Sequence, residues 1–223
     1  MDKERLNYWK TVIKFLHGVL GENYEIVLHV IDENDIYIGE IVNSHISGRT
    51  TNSPLTAFAL DLINNKVYQK QDFVTNYKAI VSPQNKEVRG STLFIKNASG
   101  QLEGMLCINM DISVYKNLAE NVLSLANLLP HQCQSPTLAS INYQPDEAVE
   151  VLSNNIQDII SEIIDPSLLK QGINLSQEVK IDIVYKLHEK GVFQLKGAVS
   201  KVAEVLNISE PSVYRYLKKI DAD

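Results

Sequence analysis

The stretch that decides the reading of this chain is Ala198-Val199-Ser200-Lys201-Val202-Ala203-Glu204-Val205-Leu206-Asn207-Ile208-Ser209-Glu210-Pro211-Ser212-Val213-Tyr214-Arg215-Tyr216-Leu217-Lys218-Lys219-Ile220. Ala198–Leu206 reads as a short helix. Only Asn207 and Ile208 separate it from Ser209, a residue that caps a second helix, and Pro211 is tolerated in that helix's first turn. With Val199 as the first position, Val202, Ala203, Leu206, Ile208, Val213 and Tyr216 fall where a helix-turn-helix needs apolar groups. Ala203 is small where the helices cross. Asn207 stands at the turn position that needs positive φ, which asparagine tolerates best after glycine. A three-helix packing module with no nucleic-acid contact is the competing reading of the same spacing.

The outer side of the second helix then carries Ser209, Glu210, Pro211, Ser212, Tyr214, Arg215 and Lys218. The start of such a helix enters the major groove. Arg215 can donate two parallel hydrogen bonds to a guanine edge, and Lys218, Lys219 and Lys201 suit phosphate. Tyr214 suits either role. Upstream, Ser176 can cap a helix from Gln177 to about Lys190, closed by Gly191.

Charge follows the same division. The 223 residues carry a formal net charge of -6, which taken whole argues against bulk attraction to nucleic acid. The deficit is confined to the front. Residues 1–175 hold 13 Lys and Arg against 20 Asp and Glu, whereas residues 176–223 hold 8 against 7. Within 196–220 the count is 5 basic against 2 acidic. With 44% hydrophobic residues the composition is that of a globular chain of one or two domains. No apolar run reaches the ~18 residues of a membrane span, and the first residues lack signal-peptide order. Cys107 and Cys133 show no metal or redox spacing, so a reducing cytoplasm is expected.

The front is α+β. Leu6, Trp9, Val12, Ile13, Leu16, Val19 and Leu20 give an amphipathic helix over 3–20, ended by Gly21. Tyr24–Ile31 and Ile36–Val42 form a hairpin whose acidic tip, Asp32, Glu33 and Asp35, is read as a solvated turn. Asn43–Pro54 reads as a loop, Leu55–Leu62 as a short helix and Tyr77–Val81 as a short strand. Val88–Lys96 and Leu102–Asp111 are strands joined by Asn97-Ala98-Ser99-Gly100. Val114, Leu118, Val122, Leu125 and Leu129 mark a helix closed by Pro130. Residues 131–144 read as a linker. Val149, Leu152, Ile156, Ile159 and Ile163 then follow a heptad-like spacing. That seam is either packed on its own domain or paired in a dimer. The expected organisation is a sheet domain over 1–130, a linker and connecting helix over 131–175, and an all-α helix-turn-helix domain over 176–223.

Two stretches, Leu195-Lys196-Gly197-Ala198-Val199 and Val213-Tyr214-Arg215-Tyr216-Leu217, resemble the helix-turn-helix of the YheO-like bacterial transcriptional regulators. The front resembles their PAS-like sensor domain at Val27-Leu28-His29, Ser47-Gly48-Arg49, Gly90–Ile95 and Gly104–Asp111. The resemblance covers about residues 5–220. It implies a five-stranded antiparallel sheet with helices over one face, a small-molecule effector (an amino acid or related metabolite, as in the DauR-type repressors of D-arginine use), and double-stranded operator DNA as partner. Two positions depart from the family: Glu210 stands where a basic residue is usual, and Val30 where Asp or Asn follows the histidine.

Within that domain, Arg49 beside Gly48 can clamp a carboxylate in a bidentate fork; a structural ion pair is its other role. His29 is mid-strand and His45 is in a loop, each either a ligand contact or an ordinary core or solvated residue. Ser91 and Thr92 alternate faces, so at most one enters a pocket. Asn109 and Asp111 share a face; Asp111 can equally cap the helix that follows. No cofactor is expected: there is no placed axial histidine, metal pair or phosphate-binding glycine loop, and Cys107 reads as a core residue. No catalytic constellation stands out, so an enzyme is not expected. The chain reads as a homodimeric regulator binding two half-sites, without membrane contact. The alternative is a ligand-binding or protein-interaction module whose C-terminal bundle is only a scaffold.

Overall fold

A computed structural model describes residues 1–32, 35–125, 149–165, 168 and 175–220. The expected linker at 131–144, Pro130, Pro166 and Glu33 lie outside the described residues. Helix α1 (Lys3–Leu20) opens the chain, its first turn capped by Asp2, which accepts from the Arg5 amide at 2.8 Å. The hairpin β1 (Tyr24–Ile31) and β2 (Ile36–Val42) follows, then α2 (Ala57–Asn64) and a 3₁₀ turn at Val67–Gln69. Strands β3 (Phe73–Val81), β4 (Lys86–Lys96) and β5 (Leu102–Asp111) complete the antiparallel part, and α3 (Ser113–Leu125) leads away from it.

Among the described residues the sheet has six strands in the order β2-β1-β5-β4-β3-β6. The sixth, β6 (Glu150–Leu152), pairs with β3 in parallel. This corrects two expectations. The segment read as linker and connecting helix supplies a strand to the sheet, and the sheet is not purely antiparallel. The heptad-like spacing over 149–163 is split by that strand. Only Ile156–Ile163 is helical (α4), and Ile159, Ile160 and Ile164 are buried in their own chain. A pairing seam built on those isoleucines is therefore ruled out, since burying them internally leaves no stripe to share.

Both faces of the sheet are covered, not one. α1 lays Ile13, Leu6, Trp9, Leu16 and Leu20 over Ile26, Leu28, Val30, Ile95 and Leu106. Val19, expected on that stripe, points to solvent. The opposite face carries Val27, Met105, Cys107, Phe94, Tyr77 and Ala79, under α2 and α4. Strand alternation makes the division: even-numbered β1 residues face α1 and odd-numbered ones face α2.

The C-terminal part consists of α5 (Gln177–Glu189), a 3₁₀ turn at Val192–Gln194, α6 (Ala198–Val205) and α7 (Glu210–Ile220). Ser176 caps α5 by accepting from the Val179 amide, and Gly191 closes it at φ 73°. Asn207 adopts φ 50° between α6 and α7. Ala203 of α6 and Leu206, which caps its end, are buried with Val213 and Tyr216 of α7. Ile183, Val184, Leu187 and Val202 join the same apolar core as Leu60, Ile159 and Val81, so one core runs from the sheet into the helical part. Lys190 pairs with Asp61 at 2.9 Å, and Ile36 bridges to Leu195 across the junction.

Candidate functional site

The face of the sheet beneath α2 is polar at its centre. Register sets Glu25 opposite Asn109, Asn109 opposite Gly90, and Gly90 opposite Tyr77, in one row across four strands. The adjacent row holds Val27, Cys107 and Thr92. Glu25 is fully buried. Its carboxylate accepts from Asn109 Nδ2 at 2.9 Å and from the Ser47 hydroxyl. Ser47 Oγ also accepts from the Arg49 amide at 3.1 Å, which fixes the loop that carries Arg49. Thr56 holds Glu150 by donating to its Oε1 at 2.6 Å, while the same threonine oxygen caps α2.

Gly90 makes room for Tyr77. A Cβ there would stand 2.2 Å from the tyrosine ring. The ring thus lies across the sheet and its hydroxyl meets Thr92 Oγ1 at 2.8 Å. Thr92 in turn touches Cys107 Sγ at 3.4 Å. Burial, reinforced by Glu150, pushes the Cys107 thiol up to about 12, which leaves it protonated and unreactive. Tyr77 is likewise raised by burial and by Glu150.

Arg49 is the largest buried polar side chain among the described residues, only 2% exposed. Its Nη2 donates to the Pro54 carbonyl at 2.6 Å, yet its Nε has no partner. His29 Nδ1, Asn109 Oδ1 and Glu150 Oε2 are also buried without a partner. Each such atom costs about 1–3 kcal/mol unless something fills its bond. Burial holds His29 well below the usual histidine range, and the Arg49 charge lowers it further. Burial raises the Glu150 carboxyl, against the opposing pull of Thr56 and Arg49.

Of the ligand-site candidates, Arg49, His29, Thr92 and Asn109 come together here. The other three do not. His45 is exposed. Ser91 faces the other way, its hydroxyl accepting from the Asn76 amide at 3.1 Å. Asp111 pairs with Lys86 at 2.6 Å and accepts from the Ser113 amide at 2.9 Å, the end-capping role. Glu25, Glu150, Ser47, Thr56 and Tyr77 were missed. Glu25 had a signal, an acid at an odd position of an otherwise apolar strand. Glu150 had none, since it stands in a polar stretch far from its neighbours in sequence.

A cleft of about 850 Å³ opens beside this cluster, between sheet domain and helix-turn-helix. Its walls include Pro54 and Ser53 on one side and Lys196, Ser200 and Lys201 on the other. Pro54 is the residue that Arg49 holds, so the cleft and the buried cluster share a wall.

The second surface is α7. Glu210, Pro211, Tyr214, Arg215, Lys218 and Lys219 are exposed, while Val213 and Tyr216 face inward. The Arg215 guanidinium lies 5.5 Å from the Tyr216 ring centre, which holds it along the helix. Ser209 does not cap with its side chain as expected. Its carbonyl accepts from the Ser212 and Val213 amides, and its hydroxyl meets that of Ser212 at 3.0 Å. Glu210 turns back to accept from Ser200 Oγ at 2.5 Å. Lys201 pairs with Glu204 at 2.8 Å and lines the cleft. The sheet domain grips α5 and α6, which leaves the outer side of α7 open.

A sheet domain with helices on both faces, joined to a helix-turn-helix with an open second helix, fits one class, the DNA-binding transcriptional regulators. Models of known families agree. One described as a YheO-like PAS domain matches residues 1–127, and one described as an HTH domain matches residues 159–218. The chain belongs to the YheO-like PAS domain family. Among its relatives, an uncharacterized protein of Haemophilus influenzae is 27% identical over 98% of this chain and 92% of its own length. The uncharacterized protein YheO of Escherichia coli K12 is 26% identical over 98% and 85%. The transcriptional regulator DauR of Pseudomonas aeruginosa is 29% identical over 60% of each chain. The match to the HTH model begins inside α4, which agrees with a core that crosses the expected boundary at 176.

Proposed function

We propose that the chain binds operator DNA through α7 as a homodimer, and that a small molecule at the buried polar cluster sets its DNA-binding competence. The observation that carries the DNA reading is the α6–α7 pair. Asn207 takes the left-handed turn, and Arg215 and Tyr214 stand exposed on a helix whose other side is buried. Arg215 would read a guanine edge, with Lys218 and Lys219 on phosphate and Ser209, Pro211 and Ser212 at the groove floor or wall. One such unit has a small footprint, so useful affinity calls for two, on half-sites about one helical turn apart. α3 supports pairing: Val114, Leu118 and Val122 are exposed, and no described residue covers them.

The sensing reading rests on the four unpartnered buried atoms. Coupling has a short path. Glu150 begins β6, and β6 leads directly into α4, which packs on α6. A ligand that draws on Glu150 or Arg49 would bias where α4 sits, and so which arrangement of α6 and α7 prevails. The test is fluorescence anisotropy with DNA flanking the protein's own gene. Tight, salt-sensitive binding by the full chain is expected, with Arg215→Ala weakened about ten- to a hundredfold. If Arg215→Ala binds and represses like the parent chain, α7 is not the reading helix and the C-terminal bundle is a scaffold.

A further inference from the structure

Charges in the buried cluster do not balance. Among the described buried residues Glu25 and Glu150 are two carboxyl groups and Arg49 the one fixed cation, and burial raises the Glu150 carboxyl, as expected of an acid without a full counter-charge. No carboxylate of a described residue forms an ion pair with the Arg49 guanidinium, whose bonds go to a carbonyl instead. His29 does not make up the difference, since burial beside Arg49 keeps it neutral. Tyr77 and Cys107 are neutral as well.

The open bonds show the same lack. Glu25 is satisfied on both oxygens. Glu150 Oε2 and Asn109 Oδ1 complete no hydrogen bond, although the Tyr77 hydroxyl stands close enough to Glu150 to favour its charged form, while Arg49 Nε is a donor with nothing to donate to. A water molecule could donate to both acceptors, but it brings no charge. An isolated buried carboxylate needs a counter-charge or a proton.

Resting on the sensing reading above, we infer that the effector is a small protonated amine with an oxygen acceptor, its ammonium seated on Glu150 Oε2 and Asn109 Oδ1 and its acceptor on Arg49 Nε. The ammonium offers three donors and one positive charge. Charge-assisted bonds to a carboxylate are the strong ones in a water-poor interior. The acceptor oxygen sets the orientation, because Arg49 Nε is the one charged donor left open among the described residues of the cluster. The cleft beside Pro54 would be the route in, since Pro54 lines it and Arg49 holds the Pro54 carbonyl.

One skeleton in four charge states tests this on the full chain. Alaninamide is a cation, alanine a zwitterion, N-acetylalanine an anion and N-acetylalaninamide neutral. Thermal unfolding is followed at pH 7.5 with each at high concentration. The two compounds with a free ammonium are expected to raise Tm by about 3–10 °C at saturation, and the two acetylated ones to leave it unchanged. Glu150→Gln should weaken the free-amine compounds roughly tenfold or more by calorimetry. The series on the parent chain stands even if that variant does not fold. A rise with N-acetylalanine alone, or equally with all four, overturns the amine and leaves the sensing reading standing. No rise with any of them overturns the amine too. Sensing is then judged separately, by native mass spectrometry of chain purified from cells: a small-molecule mass retained on the folded chain keeps it, and its absence removes it. A Glu150→Gln chain more stable than the parent, with no response to any probe, shows that a proton is the counter-charge.

Discussion

The two polar surfaces of this molecule obey opposite rules. On α7 the charged groups and Tyr214 stand in solvent, where water satisfies them and their cost to the fold is small. In the sheet domain Glu25, His29, Arg49, Asn109 and Glu150 are all withdrawn from water, and four of their atoms lack partners. The difference teaches where to look for function in each half. A solvated surface is recognised by what it offers outward, and its residues can be changed without unfolding the chain. A buried polar cluster is recognised by what it lacks, and its residues carry stability and binding together.

Substitutions that separate those two behaviours test the comparison. Arg49→Ala is expected to have the largest effect on the fold, about 3 kcal/mol or more by urea denaturation, because Glu150 would lose the buried cation that favours its charged form. Equal stability would mean that the carboxylates do not depend on it. Gly90→Ala comes next. A methyl placed 2.2 Å from the Tyr77 ring must displace it, at a cost of about 1–3 kcal/mol and loss of the Thr92 bond. Arg215→Ala is the counterpart on α7: DNA affinity falls while the urea midpoint stays within experimental error. A shared loss of both would erase the contrast between the halves. Asn207→Ala is smaller, about 1 kcal/mol, since alanine resists φ 50°.

The smallest effect concerns pH. His29 is held neutral, so the unfolded chain binds the extra proton, and stability from this residue is full above its ordinary value near 6.5. It is lost as pH falls below that value toward the lowered folded one. Glu150 works the other way, because its raised carboxyl takes up a proton on folding at mildly acidic pH. The measurement is therefore a difference: the stability curve of the parent chain minus that of His29→Gln between pH 7.5 and 5. The parent's curve is expected to be the steeper in that range, and parallel curves would show that His29 charges freely in the fold.

Much of the fold was legible because local pattern and final structure agreed. α1, β1, β2 and β5 begin and end where periodicity placed them, and Asn207 turns as its position in the motif required. What escaped was set by long-range partners. Glu150-Val151-Leu152 reads as part of a helical spacing and becomes a strand only because β3, some seventy residues earlier, offers its edge. Arg49 and Asn109 could be picked out as polar groups in a sensor domain, but nothing local told His29, which is buried, from His45, which is exposed. Ser91 and Thr92 show the limit well. Alternation said that only one could face inward, and register with Cys107 decided which. Glu210 was legible as a departure, yet its bond to Ser200 was not, since it depends on how α6 and α7 cross.

The core that continues from the sheet into α5, α6 and α7 has a consequence for how such chains can be taken apart. Ile183, Val184, Leu187 and Val202 are each at most 1% exposed and sit in one cluster with Leu60, Ile159 and Val81. Cutting the chain at residue 176 would bare an oily wound on both pieces, and grafting a foreign sensor there would leave that surface unmatched. The two halves are not cassettes. Whatever changes in one must be negotiated with the other through shared packing, and a hybrid would have to inherit both sides of that seam together.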